Sequence, residues 1–397
     1  MVVRNHSKDR GFKLHNKKIY IIAGEESGDF IGASLIDSIK SECEDKHKSA
    51  EILGIGGARM KKAGLKDPLF DIKQINLMGF LEVLPHIFRI KRLINDTVSD
   101  IIKRQPDILV TIDSPGFTFR VANKIKELAP DIKLVHIVAP SVWVYKPGRA
   151  KKYARIYDHM LTLLPFESKY FSKHGLRSTC IGHPVLEQNF LKNSRKLRVE
   201  MEISDDERII SVTPGSRKGE IKRHMPIIRE VFDKLSEIHK IKVIFVQPND
   251  SNVHLISSFL QGADFVYNFS TDRLKSFAVS DLALAKSGTN TLEIAASSVP
   301  MIVGYKLNPI TFFLLKLVIK VKFASLINII PNKEIIPEYI QSDFNADNIL
   351  NALSDLLSDK KKREEQVLEA QSVLKTIGFG SSSRPSLLAA KKILEMI

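Results

Sequence analysis

Asp113-Ser114-Pro115-Gly116-Phe117 follows directly on the apolar run Ile108–Ile112. An acid at the carboxyl end of a buried strand faces the crevice onto which the sheet opens, and partial loss of water there raises its affinity for a proton. Asp113 is therefore the candidate general base; an Asx-turn or a cap for the following helix is the competing reading. Two later loops share another design. Ile209–Thr213 runs into Pro214-Gly215-Ser216-Arg217, and Asp281–Ala285 runs into Ser287-Gly288-Thr289, each joining a strand end to a small-residue turn and a helix start. A helix start favours an anion by about 0.3 to 1 kcal/mol, and the Arg217 fork adds charge-assisted bonds. Arg217, Ser287, Gly288 and Thr289 together suit a diphosphate. Glu293, one turn into its helix, is placed to accept from ribose hydroxyls, although compensation of the helix dipole explains a glutamate there equally well.

The first loop of the chain, Gly24-Glu25-Glu26-Ser27-Gly28-Asp29, also follows a strand pattern and opens a helix. Glu25, Ser27 and Gly28 are its candidate binding residues, offered to an anion or a sugar oxygen. The loop has neither G-x-G-x-x-G nor a P-loop lysine, so it carries no dinucleotide or ATP fingerprint, and a tight turn with an N-cap acid is the alternative. The segment 77–84 is more apolar than one amphipathic face requires, and Arg89, Lys91 and Arg92 follow it. Leu77, Met78, Phe80, Leu81, Val83 and Leu84 are candidate lipid-contacting residues, with core packing of equal weight. Trp143, the single tryptophan, sits in another post-strand loop, where it either lines a sugar site or packs.

These loops need strands and helices to hold them. Short β-branched runs alternate with helical patterns, as in parallel sheets covered by helices. Strands are expected at Ile19–Ala23, Ile52–Ile55, Ile108–Ile112, Leu134–Val138, Met160–Leu163, Ile209–Thr213, Val243–Gln247, Asp281–Ala285 and Met301–Tyr305, with helices between them such as Phe30–Lys40 and Phe119–Glu127. The expected class is α/β, with two doubly wound Rossmann-like domains facing a cleft. Their spans are a basic extension over 1–18, a first domain over 19–185, a linker over 186–204, a second domain over 205–345 and a helical tail over 346–397.

The 397 residues suit two such domains, since domains cluster near roughly 100 to 200 residues. Cys43 and Cys180 lie far apart without metal-ligand spacing, so neither a disulfide framework nor a structural zinc site is indicated. The excess of 60 Lys+Arg over 45 Asp+Glu leaves +15, which narrows partners to polyanions: a phosphorylated substrate, an anionic membrane or nucleic acid. No nucleic-acid motif appears and the lysines are dispersed, so nucleic acid is not expected. No signal-peptide pattern or apolar run of about 18 residues occurs. Pro309–Ile330 comes nearest, interrupted by Lys316, Lys320 and Lys322, and reads as an amphipathic helix that is buried rather than interfacial.

Seven motifs then fall in one order: Ala23–Asp29, Met78–Leu84, Pro140–Trp143, Leu164–Glu167, Ile181–His183, Pro214–Arg217 and Ser287–Glu293. In this series the chain resembles the lipid-A-disaccharide synthase family over nearly its whole length after residue 18. The resemblance implies a glycosyltransferase B fold and an inverting transfer. It implies UDP-2,3-diacylglucosamine as donor, 2,3-diacylglucosamine 1-phosphate as acceptor, and a β-1,6-linked disaccharide 1-phosphate and UDP as products. The first domain would take the acceptor and its lipid, and the second the nucleotide sugar. By motif position Asp113 matches the family's essential acid, Arg217 and Ser287–Glu293 match donor-binding positions, Asn328 matches an active-site asparagine, and 77–84 matches a lipid-contacting surface. The implied setting is cytoplasmic and peripheral on an anionic inner membrane, with a homodimer possible through the C-terminal region.

The chain departs from the family pattern at Gly116, where some relatives carry a second acid, at Pro331-Asn332-Lys333, where Ala-Gly-Arg is frequent, and at Ile327 and Lys306, in place of proline and arginine. No D-x-D occurs, so no metal and no cofactor is expected, and protein charge is left to stabilise the leaving nucleotide. Two rivals are kept. One is another UDP-sugar transferase or a UDP-N-acetylglucosamine 2-epimerase of the same architecture, for which an acyl-contacting surface has no use. The other is a non-catalytic basic protein binding membranes or nucleic acid, which would show no transfer activity.

Overall fold

The computed structural model describes residues 17–47, 49–76, 87–191, 195–204, 206–246, 252–316, 319 and 321–397. Within them the chain forms two six-stranded sheets in which every pairing is parallel. The first holds β1 (Lys17–Ala23), β2 (Ala50–Ile55), β3 (Ile108–Ile112), β4 (Lys133–Ile137), β5 (His159–Thr162) and β6 (Arg177–Cys180), in the order β2-β1-β3-β4-β5-β6. The second holds β7 (Arg208–Thr213), β8 (Ile241–Val246), β9 (Val266–Ser270), β10 (Leu282–Ala285), β11 (Met301–Tyr305) and β12 (Glu338–Ile340), in the order β12-β11-β10-β7-β8-β9. Helices cover both faces, so central strands such as β3 are buried throughout and read as mostly apolar runs.

The direction of winding reverses between β1 and β3 in one sheet and between β7 and β10 in the other. A crevice opens at the carboxyl ends of the strands at such a reversal. The loops after those four strands are the four singled out for chemistry: 24–29, 113–117, 214–217 and 286–289.

The strands expected from sequence form in both sheets, with ends shifted by a residue or two. Leu134–Val138 stops at Ile137 because Val138 takes a left-handed φ of 72°, and Gln247 lies outside the described residues. Three strands were not expected: β6, β9 and β12. All three are sheet edges or adjoin solvent, and their sequences, Arg-Ser-Thr-Cys, Val-Tyr-Asn-Phe-Ser and Glu-Tyr-Ile, are only half-buried. An edge strand needs no apolar run, so that signal is missing.

The chain crosses between the lobes twice. At the first crossing Gly182 takes a φ of 84°, and a Cβ there would lie 2.5 Å from the Ile377 carbonyl oxygen, so only glycine fits. The His183 N–H donates to the same carbonyl at 3.1 Å. The segment after it does not hang free: the helix Arg195–Glu200 docks on the second lobe through Arg198, which donates to Val279 O at 3.1 Å and Glu207 O at 2.7 Å. Of the C-terminal helices, Ala346–Ser358 packs on Lys218–Ile238 and Lys360–Thr376 on Asn290–Ala296. The last, Pro385–Leu394, returns to the first lobe and lies on Glu26–Asp45. Glu187, at the first crossing, holds its start through the Ser386 N–H at 2.5 Å and hydroxyl at 2.7 Å. The tail therefore straps the two lobes together.

Candidate active site

The first crevice is built on close approach of two loops. A Cβ on Gly24 would sit 2.2 Å from the Ser114 Cβ and Oγ, so the 24–29 loop touches the 113–117 loop only because residue 24 is glycine. Asp113 and Ser114 both adopt left-handed backbone, at φ 49° and 47°, a strained pair held in place by the buried Thr118 hydroxyl, which donates to Asp113 O at 2.6 Å and Ser114 O at 3.0 Å. The Asp113 carboxylate accepts the Ser114 N–H at 2.8 Å and caps no helix; the next helix, Thr118–Leu128, has Phe117 at its N-cap. The capping alternative therefore fails. Desolvation raises the Asp113 proton affinity above that of an ordinary carboxylate, with the Ser114 N–H opposing it.

Glu25 is the N-cap residue of Glu26–Asp45 in extended backbone, but its side chain makes no cap hydrogen bond. Its carboxyl is held above the usual range, first by the protein crowding it and then by the Asp113 charge, while the Arg217 guanidinium pulls the other way. Glu25 thus senses charges from both lobes. Ser27 is exposed beside it. Gly28 corrects an expectation: it is buried, and a Cβ there would touch Ala23 at 3.4 Å and the Ile112 carbonyl at 3.6 Å. It lets the helix pack on β1 and β3. Asp29 spans to the loop after β2, accepting the N–H groups of Gly57 at 2.6 Å, Arg59 at 3.0 Å and Met60 at 3.1 Å.

In the second crevice the Thr213 hydroxyl accepts from Lys286 N at 3.1 Å and Asn290 Nδ2 at 2.8 Å, tying the end of β7 to the loop after β10. Gly215 (φ 137°) and Gly288 (φ 152°) take backbone that side chains rarely adopt. Ser287 donates to Ala324 O at 2.8 Å, so its hydroxyl braces the neighbouring loop, and Thr289 is exposed. Arg217 is exposed at the N-cap of Lys218–Ile238.

Sequence reasoning missed the centre of this crevice. Glu220, only 4% exposed, accepts from Ser216 N at 3.1 Å, Arg217 N at 3.4 Å, Lys286 Nζ at 3.3 Å and the Tyr305 hydroxyl at 3.0 Å. Burial works to raise its proton affinity, but Lys286, Tyr305 and the Ser216 N–H outweigh it and keep the carboxylate ionised. Burial, then Glu220, pushes the Tyr305 hydroxyl up to about 12, so it remains a donor. Two of the main-chain amides expected to meet a phosphate are therefore already committed to Glu220. Lys286 is paired with Glu220, so the positive charge that this turn offers comes from the Arg217 side chain. The spacing of Glu220, three residues past Arg217, was the available signal, since it is that of a capping box.

Two candidates prove to be built into the fold. Asn328 is fully buried: its Nδ2 donates to Ile336 O at 2.7 Å and Glu338 at 2.8 Å, and its Oδ1 accepts Ile335 N at 2.8 Å and Ile336 N at 3.0 Å. All four hydrogen-bonding capacities of the amide are used. Asn328 shapes the loop that braces Ser287. Asn328→Ala strands the two N–H groups of Ile335 and Ile336 and takes a donor from the Ile336 carbonyl and one of three from Glu338, and is expected to cost on the order of 3 kcal/mol of stability, read by urea unfolding. Glu293, 2% exposed, pairs with Arg273 at 2.9 Å and accepts from Gln188 at 3.1 Å. Both partners sit on one oxygen, Oε1. The indole of Trp143 donates to the buried Glu167 at 3.1 Å and meets Phe166 edge-on, so it packs. Lys333 pairs with Glu369. Leu77, Met78, Phe80, Leu81, Val83 and Leu84 lie outside the described residues. Among the described residues no His, Cys, Asp or Glu cluster converges as a metal site would, and no helix is long and apolar enough to cross a membrane.

A family model described as lipid-A-disaccharide synthetase matches residues 19–392. The lipid-A-disaccharide synthase of Rickettsia bellii (strain OSU 85-389) is 54% identical over 379 residues, covering 95% of this chain and 98% of that protein. The lipid-A-disaccharide synthase of Rickettsia felis is 52% identical, covering 95% of each. Among solved structures, a UDP-GlcNAc 2-epimerase from Neisseria meningitidis bound to UDP-GlcNAc superposes with a TM-score of 0.61 at 12% identity, over 95% of this chain and 99% of that one. A calicheamicin glycosyltransferase superposes with a TM-score of 0.57 at 13% identity, over 95% or more of both chains. At these identities the structural likeness speaks for the two-lobed fold.

Proposed function

The chain belongs to the lipid-A-disaccharide synthetase family, and from that premise we propose that it joins UDP-2,3-diacylglucosamine to 2,3-diacylglucosamine 1-phosphate. Asp113 takes the proton from the acceptor 6-hydroxyl as that oxygen attacks the anomeric carbon of the donor. The bond from that carbon to the UDP oxygen breaks, the configuration inverts, and the products are the β-1,6-linked disaccharide 1-phosphate and UDP. Desolvation of Asp113 makes it a better base than a carboxylate in water. Arg217, with the loop Ser287–Thr289 and Lys286 behind it, offsets the charge that develops on the diphosphate. Glu25 and Ser27, on the loop that touches Ser114, hold the acceptor hydroxyls in this reading.

What supports this reading is that the carboxyl of Glu25 feels the Asp113 charge, which raises its proton affinity, and the Arg217 guanidinium, which lowers it, so that an acid of one lobe and a cation of the other act on the same side chain. Phe88, 86% exposed, with exposed Arg89, Lys91 and Arg92, supports contact of the first lobe with an anionic membrane surface. UDP release measured with and without the lipid monosaccharide phosphate tests the function. Release is expected to require the acceptor; release that ignores it would mean hydrolysis or epimerase-like chemistry instead.

A further inference from the structure

Pro309–Lys316 forms a helix after β11, and it is not buried as its sequence suggests. Phe313 is 64% exposed, Ile319 is 38% exposed, and Thr311, Lys316 and Lys322 stand in solvent. An exposed phenylalanine on a short apolar helix costs solubility unless something covers it. The chain around it is one-signed: no Asp or Glu occurs between Glu293 and Glu334, whereas lysines recur. The Lys322 ammonium lies over the Phe323 ring at 5.1 Å, leaving its charge at the surface beside the apolar stretch. Apolar side chains flanked by lysines match the boundary between acyl chains and anionic headgroups.

The position in the fold agrees. β11 ends at Tyr305 on the carboxyl edge of the second sheet, and this helix follows directly. The helix Ile87–Arg104 runs back to the start of β3, so its first turn, with Phe88, lies at the carboxyl edge of the first sheet. Both exposed phenylalanines therefore stand at the rims of the cleft, where the acyl chains of bound substrates would emerge.

We infer that the helix Pro309–Lys316 is a second membrane contact, through which the nucleotide lobe rests on an anionic bilayer by Phe313, Lys316 and Lys322. The inference rests on the reading of the protein as an enzyme of bilayer-held lipids. With both lobes on the surface, donor and acceptor would be drawn from the same leaflet without either lobe leaving it.

The test is sedimentation of the full chain with phosphatidylcholine vesicles containing phosphatidylglycerol. Phe313→Ser is expected to weaken binding roughly tenfold, and Lys316→Glu with Lys322→Glu by a similar or larger factor that high salt abolishes. Turnover on detergent-dispersed substrates and the thermal midpoint should stay at wild-type values, because none of the three side chains is in the core or the cleft. Phe88→Ser serves as the reference for the first lobe. If Phe88→Ser weakens binding while the Phe313 and lysine variants do not, the second contact is wrong and the first-lobe reading stands. Vesicle binding unaffected by any of them would defeat both. A change in oligomeric mass on Phe313→Ser, with vesicle binding intact, would assign the helix to a second copy of the chain and overturn the proposal.

Discussion

Asp113→Asn is expected to leave a folded protein whose turnover falls by about 100- to 10,000-fold, the range for losing a general base. Asparagine is the informative substitution here. It tolerates the left-handed backbone that residue 113 adopts, and its side-chain oxygen still accepts the Ser114 N–H, so the loop keeps its shape and only the proton acceptor is lost. Alanine would add backbone strain and confuse the two effects. UDP affinity, measured by calorimetry, should stay near wild type, because Asp113 serves the acceptor. The pH profile supplies a second reading. The base must be ionised to work, and desolvation raises its pKa, so activity is present above that raised value and lost as pH falls through it. The acid limb of kcat/KM should lie above the ordinary aspartate value of about 3.9, and Asp113→Asn should abolish that limb in the residual activity.

Arg217→Ala is expected to lower kcat/KM for the donor by about 100- to 1,000-fold, as for removal of one donor aimed at developing charge. The side chain is exposed and supports no other element, while the backbone N–H of residue 217 is what Glu220 binds. Truncation should therefore spare the fold. The expected effect is large because Glu220 has taken the amides of Ser216 and Arg217, so little main-chain charge is left to substitute for the guanidinium. Arg217→Lys should recover only part of the loss, since an ammonium lacks the bidentate fork. Lys286→Met is less diagnostic: it also strips Glu220 of a buried partner at 3.3 Å, so stability falls together with donor binding.

The two sheets were legible in the sequence because their central strands are buried on both faces and read as apolar runs. The crevices followed from them, since ligands of doubly wound sheets sit at the carboxyl ends of strands and the motif loops lie there. Asp113 stood out for the same reason: it follows five buried residues, four of them apolar, and few structural explanations fit an acid there. The edge strands β6, β9 and β12 were not legible, because half-exposed strands carry no run. Glu220 and Asn328 show the other limit. Each acts through partners fixed only by the tertiary fold, Lys286 and Tyr305 for one, Glu338 and the Ile335–Ile336 backbone for the other. The motif position of Asn328 marked it as important without distinguishing a residue that binds from one that holds a loop in place. Gly28 was misplaced likewise, since permissive backbone serves close packing as well as ligand approach.

Side-chain cations of the second lobe, facing a base of the first, are expected to hold the nucleotide diphosphate at the β7–β10 crevice. A crystal structure with UDP bound tests it most directly. The diphosphate is predicted to lie between the Arg217 guanidinium and the Ser287–Thr289 loop, with Asp113 across the cleft and free to meet an acceptor. A diphosphate seated away from Arg217 and Gly288, or bridged to the protein by a magnesium ion, would contradict the account.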